Sequence, residues 1–325
     1  MTPADWMMLV ERFDLGPVRG TPAYVTRGAM GEIWHLETTR GRWAVKWLFP
    51  WAPADTRPDD LQVQSAAASA GIPLPLPVMT PGADAVIPVG DDHARVYQWV
   101  ELGLPLQPPV GEPSAAEVGR LLGILHGLAM KAEGPVDPWY TVAPAPEVWA
   151  TLADRAGAAG AAWGAKLASA SALIEELTAL VVPAPERLPI ICHRDFSPAN
   201  VIPAAPGDHL VVLDWENAGP LHAGRELGYV LLTWTAAGGQ FVRAAADALL
   251  SGYAAASGRD AQLEAGAFAT AVAGHLNFLR VMADQAIGDP AHRRYAEEQI
   301  TSLLDHDLDD LRCCIELVSA ALEFS

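Results

Sequence analysis

The segment PIICHRDFSPANVI, residues 189–202, and the segment HLVVLDWENAGP, residues 209–220, hold four polar side chains at fixed offsets: His193, Asp195 two positions later, Asn200 five beyond that aspartate and Asp214 nineteen beyond it. Each sits beside an apolar run. Ile190 and Ile191 precede the first pair, Val201 and Ile202 follow Asn200, and Leu210 to Leu213 lead directly into Asp214. Apolar runs this short, rich in Val and Ile, read as strands. The pattern therefore predicts polar tips held at the ends of short β-segments, with an amide oxygen brought back beside a carboxylate of its own loop and a second carboxylate arriving from the next hairpin.

Transfer of a γ-phosphoryl group needs such a set: a carboxylate that orients and accepts the proton of an attacking hydroxyl, oxygen ligands for Mg2+, and a cation on the nucleotide phosphates. Asp195 suits the first task, and Asn200 and Asp214 the second. Asparagine at 200 adds a neutral oxygen without further negative charge near a triphosphate. For the third task the choice is narrow, because the chain has only Lys46, Lys131 and Lys166 among its 21 basic residues. Lys46 alone falls in a predicted strand, Arg42 to Phe49. His193 reads as a packing or hydrogen-bonding member of the loop, Arg194 as a salt-bridge partner, and Cys192 as a small buried apolar residue.

His-x-Asp-x4-Asn followed by a strand ending in Asp resembles the catalytic signature of the aminoglycoside phosphotransferase and choline kinase family, relatives of the protein kinases. Further stretches share the likeness. Gly28-Ala-Met-Gly31 falls where that family has its nucleotide-covering loop, Trp43-Ala-Val-Lys46 resembles the kinase strand Val-Ala-Ile-Lys, and Tyr97–Glu101 falls at the interlobe hinge. Gly119–His126 (GRLLGILH) resembles the helix opening the C-terminal lobe, and Arg225-Glu226-Leu227-Gly228 its Asp-Leu-Ala turn. The resemblance implies an α+β, bilobal protein-kinase-like fold. Its small N-terminal antiparallel-sheet lobe, 1–100, would bind nucleotide, with a hinge at about 97–104 and a larger, mainly helical catalytic and substrate-binding lobe over 105–325. It implies Asp195 as catalytic base, Asn200 and Asp214 on Mg2+, and Lys46, Gly28, Gly31, Gln98 and Val100 around ATP or GTP. A helix of residues 60–70 should supply the acid that pairs with Lys46, yet offers only Asp60 or Gln62 near the right place. Glu216 is a candidate second acid, assisting the metal or orienting its neighbours. Residue 215 is Trp, and no activation segment separates Asp214 from Arg225, which disfavours a protein kinase.

The rest of the chain agrees. Of 27 prolines, fifteen lie in residues 1–113, eleven in 114–220 and one, Pro290, beyond, so the last hundred residues read as long helices. Ile300, Leu304, Leu308, Leu311, Ile315, Val318 and Leu322 form one apolar stripe there. Tyr24–Thr26, Glu32–Thr38, Arg42–Phe49, Val86–Pro88 and Arg95–Val100 read as strands. Ser114–Ala132 reads as a helix with Ser114 and Glu117 as a capping box.

With 325 residues, 51% hydrophobic and 18% charged, the chain can bury a core in each of two lobes. Its 39 acidic against 21 basic residues leave a net charge of −18, which excludes nucleic acid as the expected partner. Residues 290–325 alone carry eight acids against three arginines, a hint of a cationic acceptor against the plainer reading of a solvated helix face. Three cysteines, an acidic N-terminus and no run of about 18 apolar residues point to the cytoplasm and away from membranes. The expectation is a small-molecule O-phosphotransferase acting on a cationic acceptor such as an aminoglycoside or other antibiotic. A kinase of choline or another amino alcohol, or a non-catalytic kinase-fold metabolite-binding protein, are the alternatives. Oligomeric state is not legible.

Overall fold

Short runs rich in β-branched and aromatic residues between residues 23 and 98 build a five-stranded antiparallel sheet in the computed structural model, which describes residues 2–49, 58–184, 186–207, 209–259, 261, 263, 265–288, 290 and 292–322 (backbone only at 58 and 59). Helix α1 (Pro3–Arg12) starts on a Thr2–Asp5 capping box. Strands β1 (Ala23–Arg27), β2 (Gly31–Thr38) and β3 (Gly41–Leu48) follow, then helix α2 (Pro58–Ser69) and strands β4 (Val86–Val89) and β5 (Asp92–Gln98). The order is β1-β2-β3-β5-β4, which puts β3 at the centre with Lys46 paired between Ile33 and Arg95. The inner face buries Trp6, Leu9, Leu36, Val45, Ile87 and Val96, with the Trp6 ring 5.8 Å from those of both Trp34 and Trp47. All five strands expected from the sequence form.

Residues Met1–Pro105 and Ala199–Ala218 make one compact unit, and Leu106–Pro198 with Gly219–Ser325 a second. The second opens with α3 (Glu112–Gly127), α4 (Pro146–Ala158), α5 (Trp163–Ser169), α6 (Ser171–Ala179) and strand β6 (Ile190–Cys192). The chain then contributes the hairpin β7 (Val201–Pro203) and β8 (Leu210–Val212) to the first unit. It returns through β9 (Gly219–Leu221), α7 (Ala223–Thr235), the short pair β10 (Ala236–Ala237) and β11 (Gln240–Phe241), α8 (Arg243–Ser257), α9 (Ala269–Gly288), α10 (Arg293–Ser302) and α11 (Leu308–Ala321). The architecture is the α+β one expected, a sheet-bearing N-terminal part followed mostly by helices. Among the described residues no helix is long and apolar enough to cross a membrane.

Two helix expectations need correction. Helix α3 begins at Glu112 after Gly111, not at Ser114, because Pro113 fits the first turn where no N–H donor is needed; Glu117 instead pairs with Arg120 at 2.7 Å. In the last stripe, a π turn at Leu303–Asp307 inserts an extra residue, so Leu303 rather than Leu304 is buried. Helix α3 lies hard against α8: a Cβ on Gly119 would meet the Leu249 carbonyl oxygen at 2.0 Å. That approach lets His126 and Tyr253 touch across the two helices.

Candidate active site

In the first unit the β7–β8 hairpin aligns Val201 with Val212, and the Leu213 N–H donates to the Asn200 carbonyl at 2.7 Å, one step past the ladder. Asn200 and Asp214 therefore leave the same open end of the hairpin. Asp214 is left-handed (φ 57°), a conformation Asp tolerates better than most residues. It leads into the short turn Trp215–Asn217, which the buried Trp215 anchors by donating from Nε1 to the Val212 carbonyl at 3.0 Å.

That turn carries two carboxylates to Lys46. Its Nζ lies 2.5 Å from Asp214 Oδ1 and 3.1 Å from Glu216 Oε2. Glu216 also accepts from the Tyr97 hydroxyl at 2.7 Å and faces Arg95 at 3.6 Å. Arg95, itself 1% exposed, holds Asp60 through two hydrogen bonds of 2.9 and 3.0 Å. The expected partner of Lys46 is thus corrected. Asp60 is drawn to Arg95, the nearest buried cation on β5, Gln62 faces solvent, and Glu216 takes the place at Lys46. Burial opposes charge on the lysine, but the two carboxylates outweigh it and hold the ammonium well above its ordinary value. Burial raises Asp214, which Lys46 pulls down and Glu216 pushes further up, to about 7. Against the same burial, Lys46, Arg95 and Tyr97 hold Glu216 low.

Gly28 and Gly31 close the turn between β1 and β2, the Gly28 N–H donating to the Gly31 carbonyl at 2.9 Å. A Cβ on Gly31 would meet the Trp47 carbonyl oxygen at 2.3 Å, so this glycine is needed for strand contact whatever else it does. Gln98 ends β5, exposed and paired with Trp43, and half-buried Val100 follows it.

The second unit fixes Asp195. Strand β6 pairs with β9, and the chain beyond it turns through a left-handed Arg194 (φ 69°). A non-glycine residue there costs on the order of 1–2 kcal/mol, and helix α7 offsets the cost. Buried Glu226 accepts from the Arg194 backbone N–H through Oε1, while its Oε2 lies 2.6 Å from His126 Nε2, whose Nδ1 is 3.0 Å from the Tyr253 hydroxyl. Tyr229 donates to Asp195 Oδ1 at 3.2 Å, and Trp234 Nε1 to the Phe196 carbonyl at 2.8 Å. His193 is fully buried and accepts from the Asp195 N–H at Nδ1, 3.3 Å. Arg194, expected in a salt bridge on or within the loop, is buried with its guanidinium 4.7 Å over the Tyr140 ring. Cys192 is buried, its thiol raised by that burial.

Arg95, Tyr97, Tyr229 and the His126–Glu226 pair were not singled out as site residues. Arg95 had a signal, a charge in mid-strand between Ala94 and Val96. His126 and Glu226 lay inside the two stretches of family likeness; Tyr229 had none.

A model of the phosphotransferase enzyme family matches residues 25–261. No curated protein matches the sequence. Among solved structures, spectinomycin phosphotransferase in complex with ADP and spectinomycin is 12% identical over 95% of this chain and 97% of that one, with a TM-score of 0.62. An aminoglycoside phosphotransferase from Alicyclobacillus acidocaldarius is 16% identical over 98% and 97%, TM-score 0.55. Choline kinase from Streptococcus pneumoniae is 13% identical over 97% and 100%, TM-score 0.55. These likenesses establish the kinase-like bilobal α+β fold. With well over half of its length matched by the family model, the chain belongs to the phosphotransferase enzyme family, the aminoglycoside phosphotransferase and choline kinase group that its catalytic signature resembles, and is a phosphotransferase.

Proposed function

We propose that this phosphotransferase moves the γ-phosphate of ATP, or of GTP, to a hydroxyl of a small amine-bearing molecule, with Mg2+ held by Asn200 and Asp214. The observation that carries this is the charge cluster at the open end of the β7–β8 hairpin. Asp214 and Glu216 both face Lys46, and Arg95 lies against Glu216 as well as Asp60. An extra cation fits that set, and an amide and a carboxylate oxygen are hard ligands suited to it. When bound, Mg2+ neutralises charge on the nucleotide phosphates. Spectinomycin phosphotransferase with ADP or AMP, and amicoumacin kinase with AMP-PNP and Ca2+, support a nucleotide donor.

This chain's own residues do the rest. The sheet-bearing unit receives the nucleotide, Lys46 holds its phosphates, and Gly28–Gly31 covers them with Gln98 and Val100 at the hinge. Asp195 orients the acceptor hydroxyl and accepts its proton as the oxygen attacks. Glu216 keeps Lys46 in place, the task expected of Asp60 or Gln62. A cytoplasmic location suits the free Cys192, Cys313 and Cys314.

Two acceptor classes compete. The antibiotic reading rests on the net charge of −18 and on the spectinomycin and amicoumacin kinases among the neighbours. The amino-alcohol reading gains from the acids of residues 290–322, several of which meet local partners: Asp305 meets Lys166, Asp309 and Glu316 meet Arg312, and Asp310 accepts from the Gly238 and Gly239 N–H groups. Glu323 lies outside the described residues. Choline kinase and aminopropanol kinase are the matching neighbours. ADP or GDP release would be measured with Mg·ATP or Mg·GTP and spectinomycin, an aminoglycoside, choline or 1-amino-2-propanol, with Asp195→Asn as the blank. Turnover by one class assigns it; no release above the blank with any acceptor defeats the proposal in favour of a binding protein.

A further inference from the structure

Helix α7 holds three successive residues of the catalytic loop. Glu226 takes the Arg194 N–H, Trp234 reaches the Phe196 carbonyl at 2.8 Å, and Tyr229 meets not the backbone but the Asp195 carboxylate, at 3.2 Å from Oδ1. The first and last contacts shape the loop. The Tyr229 contact has a different consequence, because it acts on the one side chain whose orientation decides proton transfer. We infer that Tyr229 is a positioning residue for phosphoryl transfer, which fixes the plane of the Asp195 carboxylate and makes its two oxygens unequal before the acceptor binds.

Three features support the assignment. A carboxylate rotates readily about its Cβ–Cγ bond, a broad torsion, and one directed donor removes that freedom. Burial and the neighbouring Asp195 carboxylate hold the phenol well above its ordinary value, so it stays a donor at any pH where the enzyme works. Position matters as well. Tyr229 lies one turn beyond Glu226 on α7, so the residue that fixes the loop backbone and the one that fixes its carboxylate share one rigid helix.

The inference rests on the reading of Asp195 as the base, and the test separates the two. ADP release from Mg·ATP is measured with water as acceptor, and with whichever acceptor the screen identifies, in Tyr229→Phe, Asp195→Asn and the double variant. Phe keeps the ring and removes only the hydroxyl. The expected result is a fall in kcat of about 10- to 100-fold in Tyr229→Phe, with KM for ATP and Tm unchanged. Because Tyr229 acts through Asp195, the double variant should be no slower than Asp195→Asn alone. Wild-type kcat in Tyr229→Phe beside an inactive Asp195→Asn would overturn the positioning role and leave the base standing. A joint loss of Tm and ATP affinity would show a packing role and overturn it too. An active Asp195→Asn would remove the base reading, and this inference with it.

Discussion

The two polar clusters around the signature are built on opposite plans. In the first unit, Lys46, Arg95, Asp60, Asp214 and Glu216 hold one another charge against charge, drawn from β3, β5, α2 and the turn after β8, with Lys46 and Asp214 168 residues apart in sequence. In the second, Asp195 is the group being held: its carboxylate accepts from the Tyr229 phenol and its N–H donates to the His193 imidazole, while Glu226 fixes the adjoining Arg194 N–H and meets His126. A set of carboxylates and cations opposed in this way can take up and release a further cation with little rearrangement. A single carboxylate set in directional hydrogen bonds has one orientation. The first plan suits binding and the second suits chemistry, so damage to each should appear in different kinetic constants.

The sharpest separation comes from Asp195→Asn. Loss of a general base, the role proposed for Asp195, costs about 10²–10⁴ in rate, so kcat should fall by at least that factor while KM for ATP stays within about twofold. Equal loss in both would erase the distinction. Asp60→Asn attacks the other plan. Removing one partner of a buried ion pair costs about 3–5 kcal/mol, because it leaves Arg95 without its bidentate partner at 1% exposure. Urea unfolding should show that loss. Arg95 should then be drawn toward Glu216 and loosen it from Lys46, raising KM for ATP while saturated turnover falls only a few-fold. A variant as stable as wild type would mean that the α2 carboxylate has no part in the ladder.

A smaller effect is expected at Glu226, where the second plan sets a buried carboxylate against the His126 imidazole. Glu226→Gln keeps an acceptor for the Arg194 N–H but gives up the carboxylate facing His126, and hydrogen bonds to a charged group contribute about 1.5–3 kcal/mol. The pH dependence gives a second check. Burial pushes the Glu226 carboxyl up, but its hydrogen bond and charge interaction with His126 outweigh that and hold it below its ordinary 4.5. A carboxyl lowered in the folded protein contributes stability that is present above its unfolded value and is lost as pH falls through the folded one. Wild type should therefore lose more stability than Glu226→Gln below about pH 4.5. Parallel acid-unfolding curves would show that the pair carries no charge.

How far the sequence revealed each cluster follows from the same contrast. Asn200 and Asp214 were legible because one hairpin carries both, and hairpin spacing is local. Lys46 was legible through scarcity and its strand. Its partner was misassigned because pairing with Asp60 or Gln62 depends on which side of α2 turns inward and on Arg95 competing for the acid, neither of which a local pattern records. Glu216 was on the page as a candidate only because it stands two residues from Asp214. Tyr229 gave no signal, since an aromatic on an apolar helix face looks like core. The π turn after Ser302 escaped for a related reason: an inserted residue shifts which leucine is buried without breaking the three-and-four spacing.

The smallest effect should come from Lys166→Met, which puts a third kind of charge against the two clusters. Lys166 on α5 meets Asp305 in the π turn at 2.6 Å, with 47% and 32% of the two side chains exposed. Exposed pairs of this kind contribute about 0.2–1 kcal/mol, and salt screens them. Stability should therefore change little, and less still at high ionic strength. The informative reading is KM for a cationic acceptor. If the acids of residues 290–322 formed an acceptor-binding face, releasing Asp305 from its lysine would add an uncompensated negative charge there and lower KM, most at low salt. If they solvate a helix face, KM should stay as it is, and the acidity of this region says nothing about the acceptor. The local partners of Asp305, Asp309, Asp310 and Glu316 favour the second result. A clear drop in KM at low salt would reverse it and turn the choice of acceptor back toward polycations.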